Sequence, residues 1–513
     1  MDCLIGVDIG TTGAKTILMD SSGRQLASAT EEYPLSNPQP KWSEQDPERW
    51  VQAALNTIRD ALRKADVPAR RVKGVGFSGQ MHGLVLLDEA GGVLRPAILW
   101  NDVRTTEQCR EIESVVGRET LFQETCNPAL EGFTAPKVLW VRRHEPEIYE
   151  RARHILLPKD YVRYRLTGEL AMEASDAAGT LLYNVRERRW SKPVLDALQI
   201  PVEWMPPAYE SSEICGRATS ETAEKTGLPE GTPFVGGGAD NACAAVGNGI
   251  VVEGKAAASL GTSGVVLAHT DKPLVDPDMR AHTFCHAVSD RWYSMGVMLS
   301  AGGAFRWLRD ALCQEEAADA EKSGVDVYEI MSQKAAEAPV GSEGLLFLPY
   351  LTGERTPHAD ANAKAAFVGL TLRHGKGEII RAAMEGITYG MRDSLEIIRG
   401  LGVEVTEIVA TGGGGKSAFW RQMQADIYEA EVTAIAQSEG PAFGAAILAG
   451  VGSGVFGSCE EAAEAFINVE SRTEPNPDVR DAYRRGYSAY RSLYPALKPS
   501  FDAISLMVEE AAG

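Results

Sequence analysis

At 513 residues, 44% hydrophobic and 24% charged, the chain has a globular composition and is too long for one hydrophobic core, so two domains are expected. Seventy-one acidic against 51 basic residues give a formal net charge of −20, which argues against nucleic acid as a main partner but not against a small anionic ligand held by local charge and backbone N–H groups. No apolar run is long enough to cross a bilayer, and eight scattered cysteines with no C-x-x-C read as reduced, individually buried thiols, so a cytoplasmic setting without a membrane partner is expected.

Met1 leads straight into a strand, with no basic flank or cleavage site. Residues 4–9 are apolar, Gly10-Thr11-Thr12-Gly13 has turn chemistry, and residues 14–19 resume the strand pattern. After a second turn at residues 20–23 a third strand follows. A helix is predicted next: Asp46 suits the N-cap, Pro47 the first helical position, and Val51, Leu55, Ile58 and Leu62 form its apolar stripe. Residues 72–77, 97–100 and 233–235 read as further strands, each running into a glycine-rich or polar turn.

In the second half, residues 345–348 and 407–411 read as strands. Ile380, Met384, Ile387, Met391, Leu395 and Ile398 predict a long helix over residues 378–399, with Gly400 as its stop. The acidic stretch 315–326 reads as a solvated helical face or loop. Alternating strands and helices in both halves predict α/β domains around a cleft. A short internal repeat supports this, since Asp8-Ile9-Gly10-Thr11-Thr12-Gly13 returns as Ser259-Leu260-Gly261-Thr262-Ser263-Gly264.

Four turns carry candidate chemistry. The first G-T-T-G hairpin brings small residues, backbone N–H groups and two hydroxyls to where a phosphate chain would fit, with Lys15 just beyond. Asp8, before it, suits Mg²⁺; an ordinary hairpin with a surface aspartate is the plainer reading. Gly236-Gly237-Gly238-Ala239-Asp240-Asn241 places a carboxylate at the start of a helix, as a general base or as an N-cap, and the local sequence does not separate the two. Ser78-Gly79-Gln80-Met81-His82-Gly83 puts Gln80 and His82 at a strand end, suited to a polar sugar, with Met81 offering an apolar surface; Asn101-Asp102-Val103-Arg104 is a comparable turn. Thr411-Gly412-Gly413-Gly414-Gly415 lies between a strand and a helix bearing Phe419, Met423 and Ile427, a setting for a nucleotide. It is neither a Walker A loop nor a dinucleotide fingerprint.

Taken in order with Trp42–Pro47, residues 95–102, Gly132-Phe133-Thr134-Ala135-Pro136-Lys137, Leu157-Pro158-Lys159-Asp160-Tyr161 and Gly353-Glu354-Arg355-Thr356-Pro357-His358, these motifs resemble the FGGY carbohydrate kinase family over nearly the whole chain. The resemblance implies two actin-like, ribonuclease-H-type ATPase domains flanking a catalytic cleft, residues 1–246 for the sugar and first phosphate loop and residues 247–513 for the nucleotide, ending in C-terminal helices. It implies ATP and Mg²⁺, Asp240 as catalytic base, Asp8 as catalytic and metal residue, and Met81, His82, Asp240 and Asn241 as sugar contacts. Thr11, Thr12, Gly13, Gly261 and Thr262 become phosphate loops, and Gly413 with Gly414 falls beside the adenosine. The Gln-Met-His turn looks like that of ketopentose-specific members, with D-xylulose the favoured acceptor; another ketose such as ribulose, or an acceptor-free actin- or chaperone-like ATPase, are the rivals. A homodimer is common in the family. Ala239 departs from the glycine expected there, which matters only if that backbone needs a positive φ.

Overall fold

The computed structural model describes residues 1–436 and 440–512. Strand β1 (Cys3–Ile9) pairs antiparallel with β2 (Gly13–Asp20), which pairs antiparallel with β3 (Gln25–Glu32). Helix α1 (Pro47–Ala65) covers this hairpin, with Asp46 accepting from the Glu48 N–H at its N-cap, Pro47 first, and Trp50, Val51, Leu55 and Ile58 buried. Strand β4 (Val72–Gly79) lies parallel to β1 on the other side, followed outward by β5 (Ile214–Arg217) at the edge and β6 (Pro233–Val235) between. A short β7 (Gly238–Ala239) rejoins β4 and leads into helix α2 (Asp240–Gly247).

The second sheet repeats this plan. Strand β8 (Lys255–Leu260) forms a hairpin with β9 (Gly264–Thr270), beyond which lie β10 (His282–Cys285) at the edge and β11 (Trp292–Met298) against β9. Helix α3 (Lys376–Gly400) backs the sheet. Strand β12 (Glu407–Gly412) runs parallel to β8, and after α4 (Ala418–Tyr428) comes β13 (Glu431–Ile435), parallel to β12. Helix α5 (Gly440–Gly452), β14 (Val469–Thr473) and α6 (Arg480–Ala512) complete the chain. In both sheets a central strand has a hairpin partner on one side and a parallel strand on the other, so the two G-T-[TS]-G turns occupy equivalent places.

Helix α5 ties the halves together. It packs on β1, β4 and α2, although it follows the sixth strand of the second sheet. The approach is close because glycines line it: a Cβ on Gly6 would lie 1.9 Å from the Ala442 carbonyl, and one on Gly444 1.9 Å from the Cys243 carbonyl.

Three local expectations change. The strand expected over residues 97–100 is confined to Ala97–Ile98. Helix α3 includes Gly400, and its end is turned by Gly402, at φ +90°. The acidic stretch is mostly exposed, but Glu316 is buried and paired with Lys334 and Lys376, a contact invisible to local patterning. All eight cysteines are buried and unbridged, as expected.

Candidate active site

Register assembles the first half of the site. Ile9 stands opposite Gly79, and Ala239 opposite Gly79 from the other side, so β1, β4 and β7 end side by side. The residues that follow are Gly10, Gln80 and Asp240. Ligand-bearing turns at the carboxyl ends of adjacent parallel strands are what this topology presents.

Asp240 opens α2 but does not cap it in the usual way. Its Oδ1 accepts from the Asn241 backbone N–H at 2.7 Å and from Asn241 Nδ2 at 3.0 Å, and the Ala239 side chain offers no cap. Burial, with Asp8 as the nearby like charge, lifts the carboxyl to about 7 against the opposing Asn241 bonds. Asn241 Nδ2 also reaches Met81 Sδ at 3.6 Å, which brings Met81, Asp240 and Asn241 together. Ala239 has φ −52°, so its methyl group costs no backbone strain.

His82 sits in the same group, at φ +66°. Its Nδ1 pairs with the Gly179 carbonyl at 2.6 Å, and its ring packs against Phe133 at 4.7 Å. Burial and the Lys137 ammonium hold the imidazole down to about 3, so it is neutral at ordinary pH. The fully buried Lys137 donates to the carbonyls of His82 and Gly132, and burial lowers it to about 7. From the second half, His282 and Phe284 on β10 complete an aromatic wall around His82 and Phe133, and Arg355 lies near both histidines.

Gln80 is engaged by the first glycine hairpin and by Gln45. Its Oε1 accepts from Thr11 Oγ1 at 3.2 Å and its Nε2 donates to Gln45 Oε1 at 3.1 Å and toward the Gly10 carbonyl. Gln45 Nε2 in turn donates to the Thr11 carbonyl at 2.7 Å, and Trp100 Nε1 to Thr11 Oγ1 at 2.9 Å. The Thr11 hydroxyl is therefore engaged by protein, and Thr12 stands exposed beside it, next to a half-buried Gly13. Asp102 and Arg104 in the comparable turn are structural: they pair at 2.6 Å, and the guanidinium stacks 3.6 Å from the Trp42 ring.

In the second half, register again decides. Leu260 stands opposite Gly412, so the Gly261-Thr262 turn adjoins the Gly413-Gly414 run. Gly412 has φ +73° and would carry a Cβ 2.6 Å from the Leu260 carbonyl, which requires glycine. Gly261, Thr262, Gly413 and Gly414 line one cavity of about 1080 Å³ with Phe305, Arg306, Tyr328, Lys416 and Phe419. Arg306 Nη2 donates to Thr262 Oγ1 at 2.9 Å. Aromatic rings, two glycine turns and three cations, Arg306, Arg309 and Lys416, suit a nucleotide.

The sequence reading held Gln45, Trp100 and Lys137 within its motifs but gave them no role, and it passed over Arg306 and Lys416, although Lys416 directly follows the glycine run.

For a divalent cation, no group of three or more His, Cys, Asp or Glu gathers among the described residues. Mg²⁺ keeps several waters and takes other oxygens from substrate phosphates, so one carboxylate beside a phosphate turn suffices. Asp8, near the end of β1 and close enough to Asp240 to act on it, fits that part.

Comparison with known proteins agrees with this architecture. The models for the FGGY family of carbohydrate kinases match residues 3–247 (N-terminal domain) and 256–453 (C-terminal domain), and the chain belongs to that family. It is a sugar kinase of actin-like two-domain fold, in a family whose phosphoryl donor is ATP. Among curated relatives it is 42% identical to the xylulose kinase of Staphylococcus epidermidis over 97% of both chains. To the gluconokinase of Bacillus subtilis it is 30% identical, covering 98% of this chain and 97% of that one. The crystal structure of xylulose kinase from Rhodospirillum rubrum superposes with a TM-score of 0.91 at 30% identity, covering 98% of this chain and 100% of that one. Membership sets aside the acceptor-free ATPase reading. No helix among the described residues is long and apolar enough to cross a membrane.

Proposed function

We propose that this kinase phosphorylates D-xylulose to D-xylulose 5-phosphate in the cytoplasm, with Asp240 as general base. The observation that carries the reading is the Asp240 carboxyl, lifted to about 7 by burial and Asp8, bonded to Asn241 and linked through it to Met81 at the edge where the first glycine hairpin opens. A carboxylate poised near the working pH both accepts a proton and is available to do so.

In the reaction, Asp240 takes the proton of the sugar's terminal hydroxyl. The oxygen bonds to the γ-phosphorus of ATP as the bond to the β–γ bridging oxygen breaks, and ADP leaves. Met81, His82 and Asn241 hold the sugar, and the neutral imidazole supplies a ring nitrogen to hydroxyls without adding charge. Residues 1–246 carry the sugar and the first phosphate turn; residues 247–513 carry the nucleotide, with Gly413 and Gly414 beside the adenosine. The turns at Thr11–Gly13 and Gly261–Thr262 face the phosphates. Asp8 would hold Mg²⁺, which when bound offsets phosphate charge.

The test is ADP release with Mg·ATP against D-xylulose, D-ribulose, L-ribulose, glycerol and gluconate, with an acceptor-free blank. Turnover on D-xylulose well above the others is the expected result. Preference for gluconate or a ribulose would overturn the acceptor assignment and leave the family intact.

A further inference from the structure

Behind the Asp240 and His82 turns lies an ionic cluster that the reaction does not use. Lys159, Asp160, Arg163, Glu173 and Asp176 are all fully buried. Lys159 Nζ is 2.7 Å from Asp160 Oδ1, 3.0 Å from Asp176 Oδ2 and 3.2 Å from Glu173 Oε1, and Arg163 Nη1 is 3.1 Å from Asp160 Oδ1. Three carboxyls face two cations, and burial, together with Asp160 and Glu173, lifts Asp176 well above the usual range despite Lys159. Buried ions are costly to desolvate, and such clusters are weak sources of stability. A positional role accounts better for this one.

Besides bonds to Ser211 and the Ala171 carbonyl, its outward contacts reach the two turns. Glu173 caps the short helix Ala174–Ala178, accepting from the N–H groups of Ser175 and Asp176. Glu173 Oε1 also accepts from Ser175 Oγ at 2.9 Å, and that hydroxyl accepts from the Ala239 N–H at 2.9 Å. A hydroxyl has one proton; giving it to a carboxylate, which can only accept, leaves a lone pair for Ala239. Arg163 Nη1 donates to the Gly236 carbonyl at 2.8 Å, gripping the start of the glycine run that leads into β7. Gly179, just past the capped helix, carries the carbonyl that pairs with His82 Nδ1.

We propose that Ser175, oriented by Glu173, is a positioning residue of the phosphoryl transfer: the chain Glu173–Ser175–Ala239 fixes the backbone that presents the Asp240 carboxylate to the acceptor hydroxyl. The inference rests on the reading of Asp240 as base. Ser175 touches neither substrate, so its loss misplaces the base without removing any sugar or nucleotide contact. Misplacement on the scale of 1 Å is worth up to about a hundredfold in rate.

The test compares Ser175→Ala, Ser175→Thr and Asp240→Asn in steady-state kinetics with Mg·ATP and the preferred acceptor. Ser175→Ala is expected to lower kcat about 10- to 100-fold with both KM values within about twofold, and Ser175→Thr, which keeps the hydroxyl, to restore most of it. Wild-type kcat in Ser175→Ala alongside an inactive Asp240→Asn overturns the positioning role alone; an active Asp240→Asn overturns the base assignment itself. A Ser175→Ala defect that raises both KM values and is not relieved by threonine marks a merely structural residue and also overturns the proposal. If the alanine variant does not fold, Ser175→Cys, similar in size but a poor acceptor, carries the same comparison.

Discussion

Replacing Asp240 by asparagine should destroy activity and stabilise the protein, with the gain depending on pH. The carboxyl stands at about 7, roughly three units above an ordinary aspartate, and at about 1.4 kcal/mol per unit this is a ceiling of about 4 kcal/mol. Asp240 is half-buried, so water relieves part of the penalty and about 2–4 kcal/mol is the working range. The sign follows from linkage. Below about pH 4 both folded and unfolded states hold the proton, and the group contributes nothing. Between about 4 and 7 the unfolded chain releases its proton while the folded one retains it, so stability falls as pH rises, and above about 7 the full penalty is present. Asparagine has no such window. Thermal unfolding of both proteins from pH 4.5 to 8 should therefore show Asp240→Asn melting higher at pH 8, with the gap closing toward the acid end. The same variant should lose about 10²–10⁴ in kcat, the usual worth of a general base. Equal melting temperatures at pH 8 would refute the desolvation argument, and a kcat within threefold of wild type would refute the catalytic one.

Other consequences are more direct. In the wild type, kcat/KM should fall about tenfold per unit below about pH 7, because the base must be ionised; a flat profile down to pH 5.5 would contradict the assignment. His82→Ala should raise the acceptor KM while leaving ATP binding alone, and the acceptor KM of the wild type should show no step between pH 5 and 6.5, since the imidazole is held neutral by burial and Lys137. Gln80→Ala should raise the KM for ATP more than that for the sugar, because its amide braces Thr11 and Gly10; the reverse pattern would return Gln80 to the acceptor side. Gly444→Val should destabilise the protein by several kcal/mol, read in urea unfolding, because its Cβ would meet the Cys243 carbonyl at 1.9 Å and force α5 from α2.

Much of this protein was legible one segment at a time. The G-T-T-G hairpin, the Asp46–Pro47 helix start, the glycine run after β12 and the apolar stripe of α3 are local signals, set by turn chemistry and periodicity within a few residues. The repeat of the hairpin announced two related domains, and the ordered motifs announced the family. What local sequence left open was the use of each polar group, because that depends on partners far along the chain. Register sets Asp240 beside Gly10 and Gln80, with Asp8 near enough to raise its pKa, a setting that no local pattern shows. Gln80 read as a sugar ligand until Thr11, 69 positions earlier, proved to occupy it. The Asn101–Arg104 turn looked like a binding turn until Trp42 was found stacked on the guanidinium. Lys159 stood in a motif without a role, and Glu173 was unremarkable, until the fold buried both. The sequence by itself determined the elements and the family, since those follow from neighbours in the chain and from motif order. Only the tertiary structure decided which polar atoms are satisfied by protein and which are left for a ligand, because hydrogen bonding and desolvation are settled by neighbours in space.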